Sequence, residues 1–142
     1  MRNVGLEKFV EAQDGGGTYA QALRELRGGR KTSHWMWFVF PQVGGLGHSS
    51  MAQAYAIDSL QQARDYLVHP VLGPRFRECT AALLAHTDRS AEQIMGGIDA
   101  LKLRSSMTLF ARADPGDPAY QAVLDAFYGG EPDARTDSLL GR

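Results

Sequence analysis

The sequence predicts an all-α fold, arranged as a compact bundle of about six to eight helices. Apolar residues recur three and four positions apart through most of the chain, which is the spacing of an amphipathic helix. Glycine or proline separates these segments, so most connections between them are short. The one sustained β-like run extends from Trp35 to Phe40, which favours a helical bundle over a mixed fold.

Helix boundaries in the first half of the chain follow from apolar residues that recur on one face of a helix and from the glycines and prolines that end it. Tyr19, Ala22, Leu23 and Leu26 form the clearest stripe, which Thr18 can cap. The predicted helices cover residues 6–13, 18–27 and 58–67 or 59–67, with a shorter turn near 51–57. Glycines end the first two, and the dipeptide 69–70, which contains a proline, ends the third.

The second half of the chain continues in the same way. A helix is predicted from Pro74 to about His86, and the sequence from Ser90 to Gln93 has the form of a capping box for a short helix. Longer helices follow over residues 98–112 and 118–128. Residues 1–142 are therefore expected to form a single all-α domain, with a short flexible N-terminus and a partly ordered tail beyond Pro132.

Composition restricts the partners and the compartment. With 15 basic and 16 acidic residues the formal net charge is −1, so general nucleic-acid binding is not expected. The basic run of Arg24, Arg27, Arg30 and Lys31 indicates a solvated helix face, although a local basic patch stays open. Cys79 is the only cysteine, which suits a reducing compartment. No apolar stretch resembles a membrane helix or a signal peptide, so we expect a cytoplasmic protein without a membrane partner.

The first segment that could carry chemistry covers residues 28–42. It places Trp35 and Trp37 among further aromatic side chains, and these rings would dominate any small core that they entered. The alternative interpretation is a ligand site in which the rings face a planar molecule and polar groups flank it. The polar candidates are Lys31, Ser33, His34 and Gln42. His34 is the candidate general acid or base, but a lone histidine is more often structural.

The second segment is the helix predicted over residues 98–112. Ile98, Leu101 and Leu109 lie on one side of the helical wheel and other apolar residues on another, so the helix is expected to be central. Such a helix must pair its polar groups or expose them to a cleft. Lys102, Arg104, Ser105 and Ser106 are therefore candidates either for an internal network, for example Lys102 with Asp99, or for binding an anionic group.

Known cofactor and metal motifs are missing from the sequence. No glycine-rich nucleotide-binding pattern and no nucleophile elbow occurs, so no cofactor is expected. The four histidines, His34, His48, His69 and His86, do not have the spacing of metal ligands. No metal site is predicted.

The two segments resemble the bacterial family known as domain of unknown function 1810. The resemblance is carried by residues 33–42 and 101–110 and extends over roughly residues 6–140. It implies a compact all-α fold and no particular activity. The label of a calpastatin-like inhibitor, which is sometimes given to this family, has no support in these residues, because such an inhibitor would be a disordered chain of repeats.

Two functions stay open at this point. The first is a non-catalytic interaction or structural module, in which the aromatic segment belongs to the core and the polar helix forms a buried network. The second is a protein or enzyme that binds a small anionic or nucleotide-like ligand in a pocket between the segment from His34 to Gln42 and the helix from Lys102 to Thr108. Whether the protein is an enzyme, and its oligomeric state, are not predicted.

Overall fold

The computed structural model describes residues 5–142, and the regular elements in this part of the chain are helices. The helices are α1 (Glu7–Asp14), α2 (Thr18–Arg27), α3 (Met36–Val39), α4 (Ser50–Ala54), α5 (Leu60–Val68), α6 (Leu72–Leu84), α7 (Ala91–Met95), α8 (Gly97–Ala113), α9 (Ala119–Tyr128) and α10 (Ala134–Leu139). Seven helices of this part have six residues or more, and no strand occurs in it, so the all-α prediction is confirmed. None of the helices found in residues 5–142 is long and apolar enough to cross a membrane. The predicted flexible N-terminus, residues 1–4, lies outside the described residues.

The core is built around aromatic side chains from the longer helices. Tyr66 of α5, Phe76 of α6, Phe110 of α8 and Tyr120 of α9 are buried, and the Phe76 and Phe110 ring centroids are 4.2 Å apart. Cys79 is a free, buried thiol on the inner side of α6. Helix α8 packs against α5, α7, α9 and α10, which makes it the central helix of the bundle.

The β-like run at residues 35–40 forms the short helix α3. Trp35, Met36, Val39 and Phe40 are buried, whereas Trp37 is only partly so. This burial pattern has the period of a helix, since a strand would bury every second residue. Trp37 therefore turns away from the core and becomes available to a surface cleft.

Two capping signals in the sequence mark true helix starts. Ser59 accepts a hydrogen bond from the Gln62 amide at the start of α5. Ser90 and Gln93 form a complete capping box at α7, because each side chain bonds to the other residue's backbone amide. The capping box predicted over Ser90 to Gln93 is confirmed, but the prediction that Thr18 caps α2 is wrong: the N-cap residue is Gly17, and the Thr18 hydroxyl donates a hydrogen bond to the Gly15 carbonyl.

The C-terminal segment forms helix α10, where the sequence predicts only partial order. Asp133 caps this helix by accepting a hydrogen bond from the Thr136 amide. Asp137 then accepts two hydrogen bonds of 2.9 Å from the Arg112 guanidinium on α8. The ordering contact joins residues 25 positions apart, so the local sequence pattern does not reveal it.

A loop over residues 44–56, here called the 44–56 loop, forms one wall of the candidate site. Its ends are held together by two 2.9 Å backbone hydrogen bonds, from Gly44 to Ile57 and from Ile57 to Gln42. The loop carries α4, and Tyr55 at its end packs edge-on against Phe38, with ring centroids 4.8 Å apart. The loop therefore stands beside α3 and the start of α8.

Candidate functional site

A buried carboxylate on α2 holds the segment that leads into α3. Glu25 Oε1 accepts hydrogen bonds from the Thr32 amide at 2.7 Å, the Ser33 amide at 3.0 Å and the Trp35 indole nitrogen at 2.9 Å. Its Oε2 accepts from the Ser33 hydroxyl at 2.6 Å and from Gln21 Nε2 at 2.7 Å. Five donors thus converge on one side chain and fix the path of residues 32–35.

Glu25 is a residue that sequence reasoning missed. Burial raises the pKa of the Glu25 carboxyl, but the hydrogen bonds from Ser33, Gln21, Thr32 and Trp35 outweigh burial and hold the pKa far below its usual range. The carboxylate is therefore charged at neutral pH. The sequence feature that could have identified Glu25 is its position on the apolar face of α2, where it is buried next to Leu26.

Lys31 is a buried cation with its partners already in place. Its side chain is 5% exposed, and Nζ lies 2.8 Å from Asp99 Oδ2. Nζ also donates a hydrogen bond of 2.6 Å to the Ser33 carbonyl and lies 4.9 Å from the Trp35 ring centroid. A buried charge with these partners is part of the structure and has little capacity left for a ligand.

The side chain of Lys102 is more accessible to solvent than that of Lys31. Its side chain is 24% exposed, and Nζ lies 3.5 Å from Asp99 Oδ1, a looser contact than that of Lys31. The same ammonium lies 4.0 Å from the centroid of the Trp37 ring, as in a cation–π pair. One aspartate thus faces two lysines, and the excess positive charge is on Lys102.

Two adjacent concavities meet at Trp37 and Lys102. The smaller one, here called the polar pocket, has a volume of about 70 Å³. It is lined by Lys31, His34, Trp35, Met36, Trp37, Asp99 and Lys102. The larger one, here called the apolar cleft, has a volume of about 230 Å³. It is lined by Trp37, Gln42, Val43, Leu46, Gly47, Ala52, Tyr55, Ile98, Leu101 and Lys102.

The wall that α8 contributes to the apolar cleft is exposed. Ile98 is 74% and Leu101 66% exposed. The sequence pattern predicts a central helix with apolar residues round much of its circumference. Ser105 to Ala111 are buried in this way, whereas Ile98 and Leu101 in the first turns of α8 face solvent. Large exposed apolar side chains that border a concavity are typical of binding surfaces.

The structure brings six of the candidate residues together around the two concavities. Lys31, His34, Trp35, Trp37 and Lys102 line the polar pocket, and Gln42 joins Trp37 and Lys102 in the apolar cleft. Ser33 faces the other way and binds Glu25. Trp35 is buried, as the core interpretation of the aromatic segment predicts, whereas Trp37 faces both concavities.

The remaining candidates on α8 lie elsewhere. Arg104 Nε donates a 2.9 Å hydrogen bond to the Glu131 carbonyl, and the Ser105 hydroxyl bonds to the Leu101 carbonyl at 3.3 Å. Ser106 is fully buried, and its hydroxyl has no partner within residues 5–142. Since each helical residue turns about 100°, Arg104 lies roughly 200° round the helix from Lys102 and points away from the cleft.

His34, the candidate general acid or base, lies at the polar pocket. His34 is exposed at the edge of the polar pocket, and no carboxylate in residues 5–142 orients its ring. Within the same residues no group of three His, Cys, Asp or Glu side chains has the geometry of a metal site. Catalysis by His34 stays a prediction from the sequence.

Comparisons with known proteins agree with the fold. The family model described as "Protein of unknown function (DUF1810)" matches residues 3–140. The chain is similar to the conserved hypothetical protein Rv1873 from Mycobacterium tuberculosis, whose crystal structure it matches with a TM-score of 0.92 at 50% sequence identity over 96% of each chain. None of the curated proteins matches the chain.

Proposed function

The chain belongs to the DUF1810 family, and we propose that it binds a small anion with an apolar body in the apolar cleft, without catalysing a reaction on it. The single observation that carries this proposal is the position of Lys102. Its ammonium lies where the two concavities meet, against the Trp37 ring and beside the exposed Leu101. A cation next to apolar walls is the arrangement that recognises an amphipathic anion.

The size of the apolar cleft supports a small ligand. Its volume of about 230 Å³ lies just below the ~300–1,000 Å³ of pockets for drug-sized molecules. Its lining is mainly apolar, with Lys102 and Gln42 as the polar side chains. A few placed polar groups within apolar walls give orientation, while the walls give affinity.

Binding of the fluorescent anion 1-anilinonaphthalene-8-sulfonate tests the proposal. Leu101→Gln should weaken binding of this probe about tenfold, because the bound probe would cover the exposed Leu101 side chain, and burying a leucine contributes ~1.5 kcal/mol or more. Val68→Gln is the matched control, since Val68 is 65% exposed and borders a separate concavity near Arg64 and Asp114. Loss of binding in Val68→Gln and not in Leu101→Gln would show that the proposed site is wrong.

A second candidate function is a protein-interaction module. The observation that favours it is the exposure of Ile98 and Leu101 on one helix face, because such patches also mark protein contacts. Sedimentation velocity of the wild type and Leu101→Gln separates the candidates. Self-association that Leu101→Gln abolishes, together with no binding of the small anion, would favour this second function.

We also propose a cytoplasmic location and no general binding to nucleic acids. The support for the first is the free thiol of Cys79, and for the second the formal net charge of −1. Cell fractionation and a filter-binding assay with duplex DNA at physiological salt would check these two points.

A further inference from the structure

The number of free cations limits the charge that the site can accept. Lys31 is held by Asp99 and the Ser33 carbonyl and its side chain is 5% exposed, so it has little capacity left for an incoming anion. Lys102 is the cation with the looser contact and the more exposed side chain. Lys31, Lys102 and Asp99 together have a net charge of +1, which a ligand with a single negative charge would neutralise.

Asp99 opposes a second negative charge. Its carboxylate lines the polar pocket, so a dianionic head group next to Lys102 would face a like charge at close range. Like charges held close together in a partly dry site are strongly unfavourable. A phosphate monoester or a nucleotide is therefore poorly matched to this pocket.

The volumes of the polar pocket and the apolar cleft limit the size of the ligand's charged head group and of its apolar body. The polar pocket, at about 70 Å³, has space for about two water molecules at ~30 Å³ each, or for a carboxylate that displaces them. The apolar cleft, at about 230 Å³, has space for a compact ring system against Trp37 and Leu101. Trp37 and Lys102 line both spaces, so a molecule held by Lys102 lies next to both of them.

We infer that the ligand is a monocarboxylic acid with a compact apolar body, whose carboxylate takes the place of Asp99 as the partner of Lys102. This inference rests on the proposed function and narrows it, since it excludes the nucleotide-like ligands that the sequence left open. The ammonium of Lys102 needs only to move from the Trp37 ring toward the head group. The body of the ligand then lies between Trp37 on one side and Ile98 and Leu101 on the other.

A matched series of compounds on one ring system tests the inference by isothermal titration calorimetry at pH 7.5. The compounds are 1-naphthoate, the neutral 1-naphthylmethanol, the dianion 1-naphthyl phosphate, and adenosine monophosphate as the nucleotide. We expect 1-naphthoate to bind about tenfold more tightly than each of the others, the factor that one charged hydrogen bond supplies. Leu101→Gln should weaken binding of 1-naphthoate and of the alcohol alike.

Two variants test the role assigned to Lys102. Lys102→Gln should reduce the affinity for 1-naphthoate to that for the alcohol, while the affinity for the alcohol stays the same. Arg104→Gln is the matched control, because it removes the same charge from the same helix on a side that does not line the cleft. Equal losses in Lys102→Gln and Arg104→Gln would mean that the anion senses only the overall charge, and the inference would be wrong.

The outcomes separate this inference from the proposed function. If 1-naphthyl phosphate or adenosine monophosphate binds as tightly as 1-naphthoate, and Leu101→Gln weakens that binding, the site stands and the monocarboxylate class is overturned. Equal binding of the alcohol and the acid overturns it too. If no compound binds, or if a second copy of the chain covers Leu101 in solution, the proposed function itself fails.

Discussion

Replacing Glu25 by glutamine tests whether one buried carboxylate organises the path from α2 into the site. The substitution keeps the shape of the side chain and removes its charge. Oε1 can still accept the hydrogen bonds from the Thr32 and Ser33 amides and the Trp35 indole. The new amide nitrogen, in place of Oε2, would face the Gln21 amide donor, so that bond is lost.

The size of the effect follows from the kind of bond that is changed. A hydrogen bond to a charged group contributes ~1.5–3 kcal/mol to stability and a neutral one ~0.5–1.5 kcal/mol. Glu25→Gln loses the bond from Gln21 outright and leaves the other four as neutral bonds, because the Ser33 hydroxyl can rotate to accept from the new amide nitrogen. We therefore expect the free energy of unfolding to fall by about 2–4 kcal/mol, since such losses are not fully additive.

Urea denaturation followed by circular dichroism measures this loss. Glu11→Gln on α1 is the matched control, because Glu11 is exposed and the same substitution there should change stability by less than ~0.5 kcal/mol. Similar midpoints for Glu25→Gln and Glu11→Gln would refute the role assigned to Glu25.

The same carboxylate predicts how the difference between wild type and Glu25→Gln depends on pH. Because the pKa of Glu25 is lowered in the folded protein, its stabilisation is fully present above the unfolded value of ~4.3 and is lost as the pH falls toward the folded pKa. The difference in unfolding free energy should therefore be constant near neutrality and shrink below about pH 4. A difference that grows in acid would contradict the assigned charge.

Three further predictions concern other parts of the molecule. Asp137→Asn should lower the unfolding free energy by about 1–3 kcal/mol in urea denaturation and speed amide exchange in α10, because it weakens the paired bonds to Arg112; unchanged exchange would contradict that contact. Cys79 should react with a thiol reagent only as the protein unfolds, since burial raises the pKa of its thiol to about 12; fast labelling of the native protein would count against it. Lys31→Met should reduce stability by about 1–3 kcal/mol, whereas Lys102→Met should change it by less than ~1 kcal/mol, because only Lys31 is buried against Asp99; equal melting temperatures of the two variants would remove the distinction between a structural and an available lysine.

Most of the fold could be predicted from the sequence because its signals are local. The stripe at Tyr19, Ala22 and Leu26 and the capping box at Ser90 depend on residues within one or two turns, and both give the observed helices. The short helix α3 could not be predicted from the sequence, because a run of six aromatic and aliphatic residues fits a strand as well as a helix. The anchor that favours the helix, Glu25, lies ten positions before Trp35.

Only some residues of the candidate site could be predicted from the sequence. Residue types identified Trp37 and Lys102 correctly as neighbours of a concavity, but also suggested Arg104, which lies on the other side of α8. A helical wheel gives relative angles and not which face meets the bundle, so it could not separate Lys102 from Arg104. The exposure of Leu101 depends on the absence of a neighbouring helix at that face, which is a property of the tertiary arrangement.

A crystal structure of the protein grown with 1-naphthoate, at a concentration well above its dissociation constant, tests the central claim most directly. We expect the naphthalene rings in the apolar cleft between Trp37 and Leu101, with a carboxylate oxygen ~3 Å from Lys102 Nζ. An empty cleft with the compound bound near Val68, or a cleft filled by a second copy of the chain, would contradict the account.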